Sequence, residues 1–218
     1  DIEFNPVALS YMYITEDKAY LFIGDGKASV SYPGAIVRPY SDIMNFLKGG
    51  NVRGKVMLDL AAVNYLDYKL IKKKAEIINT VNPTAIMKAV KNPTEISHMK
   101  QVFLEDSIAL TRFIKWVTTV NEEQTEMSAA DRLKEFRQEI PSFRDLSFST
   151  IAAYGDNAAI IHYEPSHEHE KSIQHQGLFM VDSGGQYNGG TTDVTRTIVM
   201  GMLTDEEKET FTDVAVGM

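Results

Sequence analysis

The sequence predicts a mixed chain, with a small α/β domain over residues 1–84 followed by an α+β domain over residues 85–218. Three observations predict it. Short strand-like and helical runs alternate up to Asn79, and a long, capped helical pattern begins at Asn92. From Leu146 onward the period switches to that of strands and ends in a hairpin.

In the first domain, residues 9–15 (LSYMYIT) and 18–23 (KAYLFI) are strand-like runs on either side of Glu16-Asp17, and Ala28–Tyr32 reads as a third. Ser41 or Asp42 is placed to cap a short helix through Leu47, closed by Gly49-Gly50. Lys55–Leu60 reads as a strand, Asn64–Lys74 as a helix and Ala75–Asn79 as a last strand. Lys72–Lys74 reads as a solvated helix face. Gly24-Asp25-Gly26 follows a strand, as a dinucleotide loop would. It lacks the third glycine, and Asp25 would repel phosphate. Pro83 marks the boundary between the domains.

The second domain opens on Asn92-Pro93, an N-cap and a proline at the first helical position, with Glu95 placed to complete a capping box. Ile96, Met99, Phe103, Leu110, Ile114 and Val117 recur at helical spacing, so the helix runs to about Thr119 with one buried stripe. Trp116 and the helix aromatics read as core. Ser128 caps a second helix that buries Leu133, Phe136 and Ile140 and turns its charged residues outward; Pro141 follows it. Phe148–Ala153 and Ala158–Tyr163 read as strands, so His162 lies at the end of an apolar strand. A lone histidine in such a place is ordinarily a core or rim residue held by hydrogen bonds. His167 and His169 lie in a polar loop, and His98 and His175 carry no signal.

The hairpin spans Leu178–Gly201. Its first strand is the apolar run Leu178–Val181, with Asp182 directly after it; its second is Thr192–Met200. Asn188-Gly189 is the residue pair that tolerates positive φ in a type I′ turn. With those two as the turn, Tyr187 faces Gly190, Gly184 faces Asp193 and Asp182 faces Thr195. Asp182, Gly184, Asp193 and Thr195 then share one face, while Ser183 and Arg196 point to the other. Asp182 and Asp193 become diagonal neighbours about 7–8 Å apart. Two carboxylates so placed need cations between them, or one takes up a proton. Hard oxygen ligands favour Mn, Mg or Ca. The alternative is a surface hairpin with two solvated aspartates. Arg196 reads as one half of an ion pair on the far side of the sheet.

Composition sets the bounds. Hydrophobic content of 44% and charged content of 24% are those of an ordinary globular protein. No apolar run reaches the ~18 residues of a membrane span, and no signal peptide is visible. Cysteine is absent, which excludes disulfides, thiolate metal sites and cysteine nucleophiles and fits a reducing, cytoplasmic compartment. A net charge of −8 argues against nucleic acid as a partner. Thr204 and Glu207 form a capping box for a third helix with Phe211, Val214 and Met218 on its apolar stripe. The chain starts at Asp1 and stops inside that helix, as a piece of a longer protein would.

The run DSGGQYNGGTTDVTRT resembles the metal-binding hairpin of the aminopeptidase P (Xaa-Pro aminopeptidase) family, in the creatinase/prolidase group of pita-bread metallopeptidases. KAVKNPTEISHMK, EMSAADRLKEFR and DLSFSTIAAYGDNAAIIHY resemble consecutive segments of the same family. The resemblance implies a small creatinase-type N-terminal domain and the first part of a pita-bread catalytic domain. It implies two divalent metal ions, typically Mn, with Asp182 holding one and Asp193 bridging both, and His162 as the histidine that contacts substrate and steadies the developing oxyanion. The family's later histidine and two glutamate ligands have no counterpart in these residues. The implied reaction releases the N-terminal residue from peptides with proline second. A prolidase acting on dipeptides and a non-catalytic pita-bread binding protein are the alternatives; the resemblance also leaves room for a homodimer. Implied partners are peptides, not nucleic acid or membrane. DSGG also resembles the nucleophile motif of chymotrypsin-like proteases, with Ser183 as nucleophile and His162 as base. Val181 precedes the aspartate here, and two long helices precede the histidine, which that all-β family does not share.

Overall fold

Alternating aromatic residues build the first sheet. β1 (Ser10–Ile14) and β2 (Ala19–Ile23) pair antiparallel, and β3 (Ala35–Pro39) joins β2 in parallel. Tyr11, Tyr13 and Tyr20 point inward around Phe22 and around Phe46 of α1 (Ile43–Lys48). Phe22 is fully enclosed and meets the Phe46 ring edge-on at 5.1 Å, a favoured aromatic geometry. The structure, a computed structural model, describes residues 2–24, 27 and 32–217. Most of the strand expected over Ala28–Tyr32 therefore falls outside the described residues, as do Asp25 and Gly26 of the glycine loop. β3 was not expected, because Pro33-Gly34 and Pro39 frame a run of only five residues.

β4 (Lys55–Leu58) and β5 (Glu76–Asn79) form a parallel pair joined through α2 (Tyr65–Lys72). Asn64 caps α2, its side chain accepting the Asp67 N–H at 2.9 Å. At α1 the expected cap is absent: Asp42 makes no capping hydrogen bond, and a 3-10 turn over Tyr40–Asp42 leads into the helix instead. Lys74 donates to the carbonyls of Lys48 and Gly49, where the C-terminus of α1 leaves acceptors open. A short helix, α3 (Pro83–Ala89), follows. The chain divides into two compact units, Asp1–Lys91 and Asn92–Met218.

The second unit begins with α4 (Pro93–Thr119). Asn92 Oδ1 accepts the Glu95 N–H at 2.9 Å and Glu95 Oε2 accepts the Asn92 N–H at 2.8 Å, so the expected capping box forms. The buried face differs from the expected stripe. It comprises Val102, Asp106, Ala109, Leu110, Phe113 and Val117, while Ile96 and Phe103 are 44% and 39% exposed. A charged residue in the stripe hides the true face from a count of apolar positions.

α5 (Glu126–Gln138) is capped by Thr125 rather than Ser128; Ser128 sits three residues on and its hydroxyl accepts the Thr125 N–H at 2.9 Å. A two-residue bridge of β6 (Gln124–Thr125) with β9 (Ser172–Ile173) holds this start in place. Leu133 and Phe136 are buried as expected. The charged residues of α5 are not all turned outward, since Glu126 and Arg137 are both 0% exposed.

α4 and α5 cover one face of a sheet ordered β13 (Val194–Val199), β10 (Leu178–Ser183), β8 (Ile151–Tyr154). Phe113, Val117, Leu133 and Phe136 pack there against Phe179, Val181 and Ile198. A second sheet runs β12 (Gly190–Thr191), β11 (Gly185–Tyr187), β7 (Phe143–Leu146). The strand expected over Ala158–Tyr163 does not form: Gly155–Ala159 is a 3-10 turn, and a turn over residues 160–163 follows. The apolar run misleads because Ile160 and Ile161 face water, while the polar ends of Asn157 and Tyr163 are drawn inward. α6 (Asp205–Gly217) starts on the expected box, Glu207 N–H to Thr204 Oγ1 at 3.2 Å and Thr204 N–H to Glu207 Oε2 at 2.7 Å. Phe211 and Val214 of its stripe are exposed, and Met218 lies outside the described residues. Among the described residues no helix is long and apolar enough to cross a membrane.

Candidate active site

The hairpin register matches the expectation from the sequence. Asp182 pairs with Thr195, Ser183 with Val194 and Tyr187 with Gly190, at one unbroken offset that leaves Gly184 opposite Asp193. The ladder lapses at Gly184 and Thr192-Asp193, where the strands pass from one sheet to the other, but the offset is the same on both sides, which keeps Asp182 and Asp193 on one face. Gly184 makes this close approach possible, because a Cβ there would lie 2.0 Å from the Thr192 carbonyl oxygen. Ser147 bridges the same spot, donating from its hydroxyl to Thr192 O at 2.9 Å and from its N–H to Gly184 O at 3.1 Å.

The turn itself is not type I′: neither Asn188 nor Gly189 has positive φ. Packing against α4 explains why glycines stand here. A Cβ on Gly189 would lie 3.0 Å from His98 Cβ, and one on Gly190 2.3 Å from Met99 Sδ. Asn188 is fixed from the other side, donating its N–H to Ser142 O at 3.0 Å and accepting Arg144 Nε at 2.7 Å. Room for the helix decides these residues, and not backbone handedness.

Asp193 is exposed and Asp182 half-buried, on the sheet face away from α4 and α5. Among the described residues Oδ1 of Asp182 is buried without a hydrogen-bond partner, a costly state for a carboxylate oxygen. A hard cation held jointly with Asp193 would satisfy it, so the donor set fits a divalent metal. Among the described residues no group of three His, Asp or Glu side chains is gathered that would hold a metal by itself.

Behind the hairpin lies a buried polar cluster that sequence reasoning missed. Arg137 donates from Nε to Asp106 Oδ1 at 2.7 Å and from Nη2 to Ser183 Oγ at 3.1 Å; the Tyr187 hydroxyl donates to Asp106 Oδ1 at 2.6 Å. Burial, and then the bond to Asp106, push the Tyr187 hydroxyl far above its ordinary range. Ser183 is 0% exposed and engaged by a guanidinium, which removes it as a nucleophile. The missed signal was Asp106 itself, an acidic residue whose neighbours one helical turn away, Val102, Phe103, Ala109 and Leu110, are all apolar. Arg196 is on the helix-facing side by register, opposite Val181, yet its terminus is exposed and donates to the Thr195 carbonyl at 2.7 Å; the expected ion pair does not form among the described residues.

His162 stands exposed in the turn after β8, at φ 56°. That places it at the third position of a turn closed by Tyr163 N–H to Ile160 O at 3.2 Å, where φ is positive and glycine or asparagine is usual. Tyr163 beside it is buried, and its hydroxyl is pushed up to about 12 by burial and then by its hydrogen bond to Glu126. His167 and His169 are exposed, as expected of a polar loop.

The family model for metallopeptidase family M24 matches residues 97–217, and that for the creatinase/prolidase N-terminal domain matches residues 1–95. The chain belongs to metallopeptidase family M24. Across its whole length this M24 chain is 35% identical to Xaa-Pro aminopeptidase 1 of Dictyostelium discoideum and 36% identical to Xaa-Pro aminopeptidase ApepP of Drosophila melanogaster. It spans only 36% and 37% of those two relatives. Among solved structures it is similar to the X-prolyl aminopeptidase of Caenorhabditis elegans, described as a cytosolic enzyme with a di-nuclear active site. There the TM-score is 0.80 at 28% identity, covering 94% of this chain and 36% of that one. Prolidase from Pyrococcus furiosus shares the fold with a TM-score of 0.71 at 20% identity, over 92% of this chain and 58% of that one. The creatinase-type and pita-bread expectations for the fold are thereby met.

Proposed function

We propose that the protein carrying this M24 chain is a metal-dependent aminopeptidase that removes the N-terminal residue from peptides with proline second. The observation that carries the reading is the pair Asp182 and Asp193, set on one face of a hairpin of constant offset, with Asp182 Oδ1 buried and unpartnered among the described residues. The names of the relatives at 35% and 36% identity favour the aminopeptidase over a dipeptidase. The retained carboxylates weigh against a purely binding role.

Asp182 and Asp193 would be this chain's contribution to holding two divalent ions, typically Mn. Such ions supply a bound water of lowered pKa and stabilise charge on the attacked oxygen. His162, exposed on its turn, donates a hydrogen bond to the substrate oxygen where negative charge develops, an interaction worth most when water is excluded. A proline in second place has no N–H and a fixed φ, so peptidases that read an extended, hydrogen-bonded strand handle it poorly. The free amino terminus of a peptide suits an acidic protein of net charge −8. A cytosolic location and a homodimer belong to the same proposal, the first supported by the description of the nematode relative.

The test is hydrolysis of a Pro-second tripeptide and of an Xaa-Pro dipeptide by the whole protein, before and after chelation and with Mn, Mg or Zn added back. Cleavage of the tripeptide that chelation abolishes and Mn restores is expected. Activity that survives chelation, or cleavage of the dipeptide alone, would overturn the reading.

A further inference from the structure

Glu126, the first residue of α5, is wholly enclosed, and no side-chain cation touches it among the described residues. The N-terminus of a 13-residue helix offsets part of its charge. Neutral donors do the rest. Oε1 accepts the Tyr154 N–H at 2.7 Å and Asn157 Nδ2 at 3.0 Å; Oε2 accepts the Tyr163 hydroxyl at 2.7 Å, the Lys171 N–H at 3.0 Å and Asn157 Nδ2 at 3.0 Å. Asn157 Nδ2 also lies 2.9 Å from the Tyr163 oxygen, and the Glu126 N–H donates to Lys171 O at 3.1 Å.

These donors come from the end of β8, from the 3-10 turn, from the residue after His162 and from the approach to β9. They tie down a segment, residues 154–171, whose regular structure is little more than one 3-10 turn. His162 lies inside it at φ 56°, a conformation a non-glycine residue keeps only where its surroundings over-determine it. The side chains of the preceding residues do not hold it there, since Ile160 and Ile161 are 52% and 86% exposed; Ile160 contributes only its backbone carbonyl to the turn. The following residue does: Tyr163 is 7% exposed, and its hydroxyl is locked to Glu126.

We infer that Glu126 is a positioning residue for His162, acting through Tyr163 and Asn157 to fix the left-handed turn on which the histidine stands. The role given to His162 rests on the function proposed above; the control of its conformation does not. Glu126→Gln is the direct variant. Its amide nitrogen would meet either the Tyr154 N–H or the Lys171 N–H, so one donor is unpaired whichever way the amide turns. Tyr163→Phe is the milder one, removing a single oxygen and keeping the ring.

The experiment measures kcat, KM and bound metal for the whole protein carrying Glu126→Gln or Tyr163→Phe, each alone and combined with His162→Ala. A fall in kcat of about ten- to a hundredfold for Glu126→Gln is expected, with KM and metal content little changed. Tyr163→Phe should show a smaller fall of the same kind. In the His162→Ala background neither substitution should lower the rate further by more than about twofold, the non-additivity of groups acting through one another. Equal factors with and without His162 would reduce Glu126 to a purely structural residue and overturn the inference. Should Glu126→Gln not fold, Tyr163→Phe decides. The His162 imidazole NMR signal, assigned by its loss in His162→Ala, should shift or split in Tyr163→Phe. An unchanged signal overturns the inference even if the wild-type protein proves not to cleave Pro-second peptides, an outcome that would sink only the proposed function.

Discussion

Arg137 and Asp106 form an ion pair at 2.7 Å between α5 and α4, with side chains 0% and 1% exposed. The pair is also a post for the hairpin, since Arg137 reaches Ser183 and Asp106 accepts from Tyr187. Ser183 follows Asp182 directly, so the cluster fixes the backbone of the candidate metal residue from the opposite face of the sheet. Removing one partner leaves the other charge buried and alone. Asp106→Ala and Arg137→Ala should each destabilise the protein by about 3–5 kcal/mol in urea denaturation. The double variant Asp106→Leu with Arg137→Met should recover only part of that, because the hydroxyls of Tyr187 and Ser183 lose their partners; adding Tyr187→Phe should recover more. Losses below about 1 kcal/mol for the single variants would show that the pair is not needed.

Stability at high pH follows from the tyrosines. Burial and Glu126 raise Tyr163 from its ordinary 10.0 to about 12, and Tyr187 is raised as well. The folded state therefore keeps the neutral phenol while the unfolded chain ionises. This stabilisation is full below about pH 10 and is lost as pH rises to about 12. The urea midpoint should fall across that window in the wild-type protein and fall less steeply in Tyr163→Phe. Parallel curves would contradict the assignment.

The hairpin was legible because period-two alternation and a two-residue turn leave one register that buries Phe179 and Val181. The helix starts at Asn92 and Thr204 were legible because capping is local chemistry, written in four residues. What stayed hidden depends on contacts distant in sequence. Glu126 and Arg137 look like surface charges until the segments that enclose them are in place, and Asp106 breaks the very stripe it belongs to. The apolar run ending at His162 reads as a strand because hydrophobicity alone does not register that Glu126 draws Asn157 and Tyr163 inward. Asn188-Gly189 suits a type I′ turn in isolation, whereas the approach of α4 selects the glycine for its size.

Two glycines of the hairpin should respond differently to alanine. A Cβ on Gly184 meets the Thr192 carbonyl at 2.0 Å, and that backbone is held by Ser147. A Cβ on Gly190 meets the sulfur of Met99 at 2.3 Å, which lies near the end of a flexible side chain. Gly184→Ala should cost more than the ~1–3 kcal/mol of ordinary overpacking, and Gly190→Ala should stay within it. Thermal denaturation of both variants checks the order; a Gly190→Ala loss equal to or larger than that of Gly184→Ala would show that Met99 is rigidly held.

The last prediction separates the two aspartates from the histidine. The buried, unpartnered Oδ1 of Asp182 is a liability unless a cation shares it. Asp182→Asn should therefore leave the metal-free protein as stable as the wild type or more so, while destroying its response to metal. A ligand that binds the folded state raises its stability by mass action, so Mn should raise the melting temperature of the wild-type protein. It should fail to do so in Asp182→Asn and in Asp193→Ala, because each removes one of the carboxylates on the shared face. His162→Ala should keep the full Mn-induced shift, since its proposed partner is the substrate, yet lose peptide hydrolysis along with the other two. A Mn response in Asp182→Asn equal to that of the wild type would mean that the oxygen is unpartnered for a reason other than metal. A response lost in His162→Ala would move the histidine from the substrate to the metal.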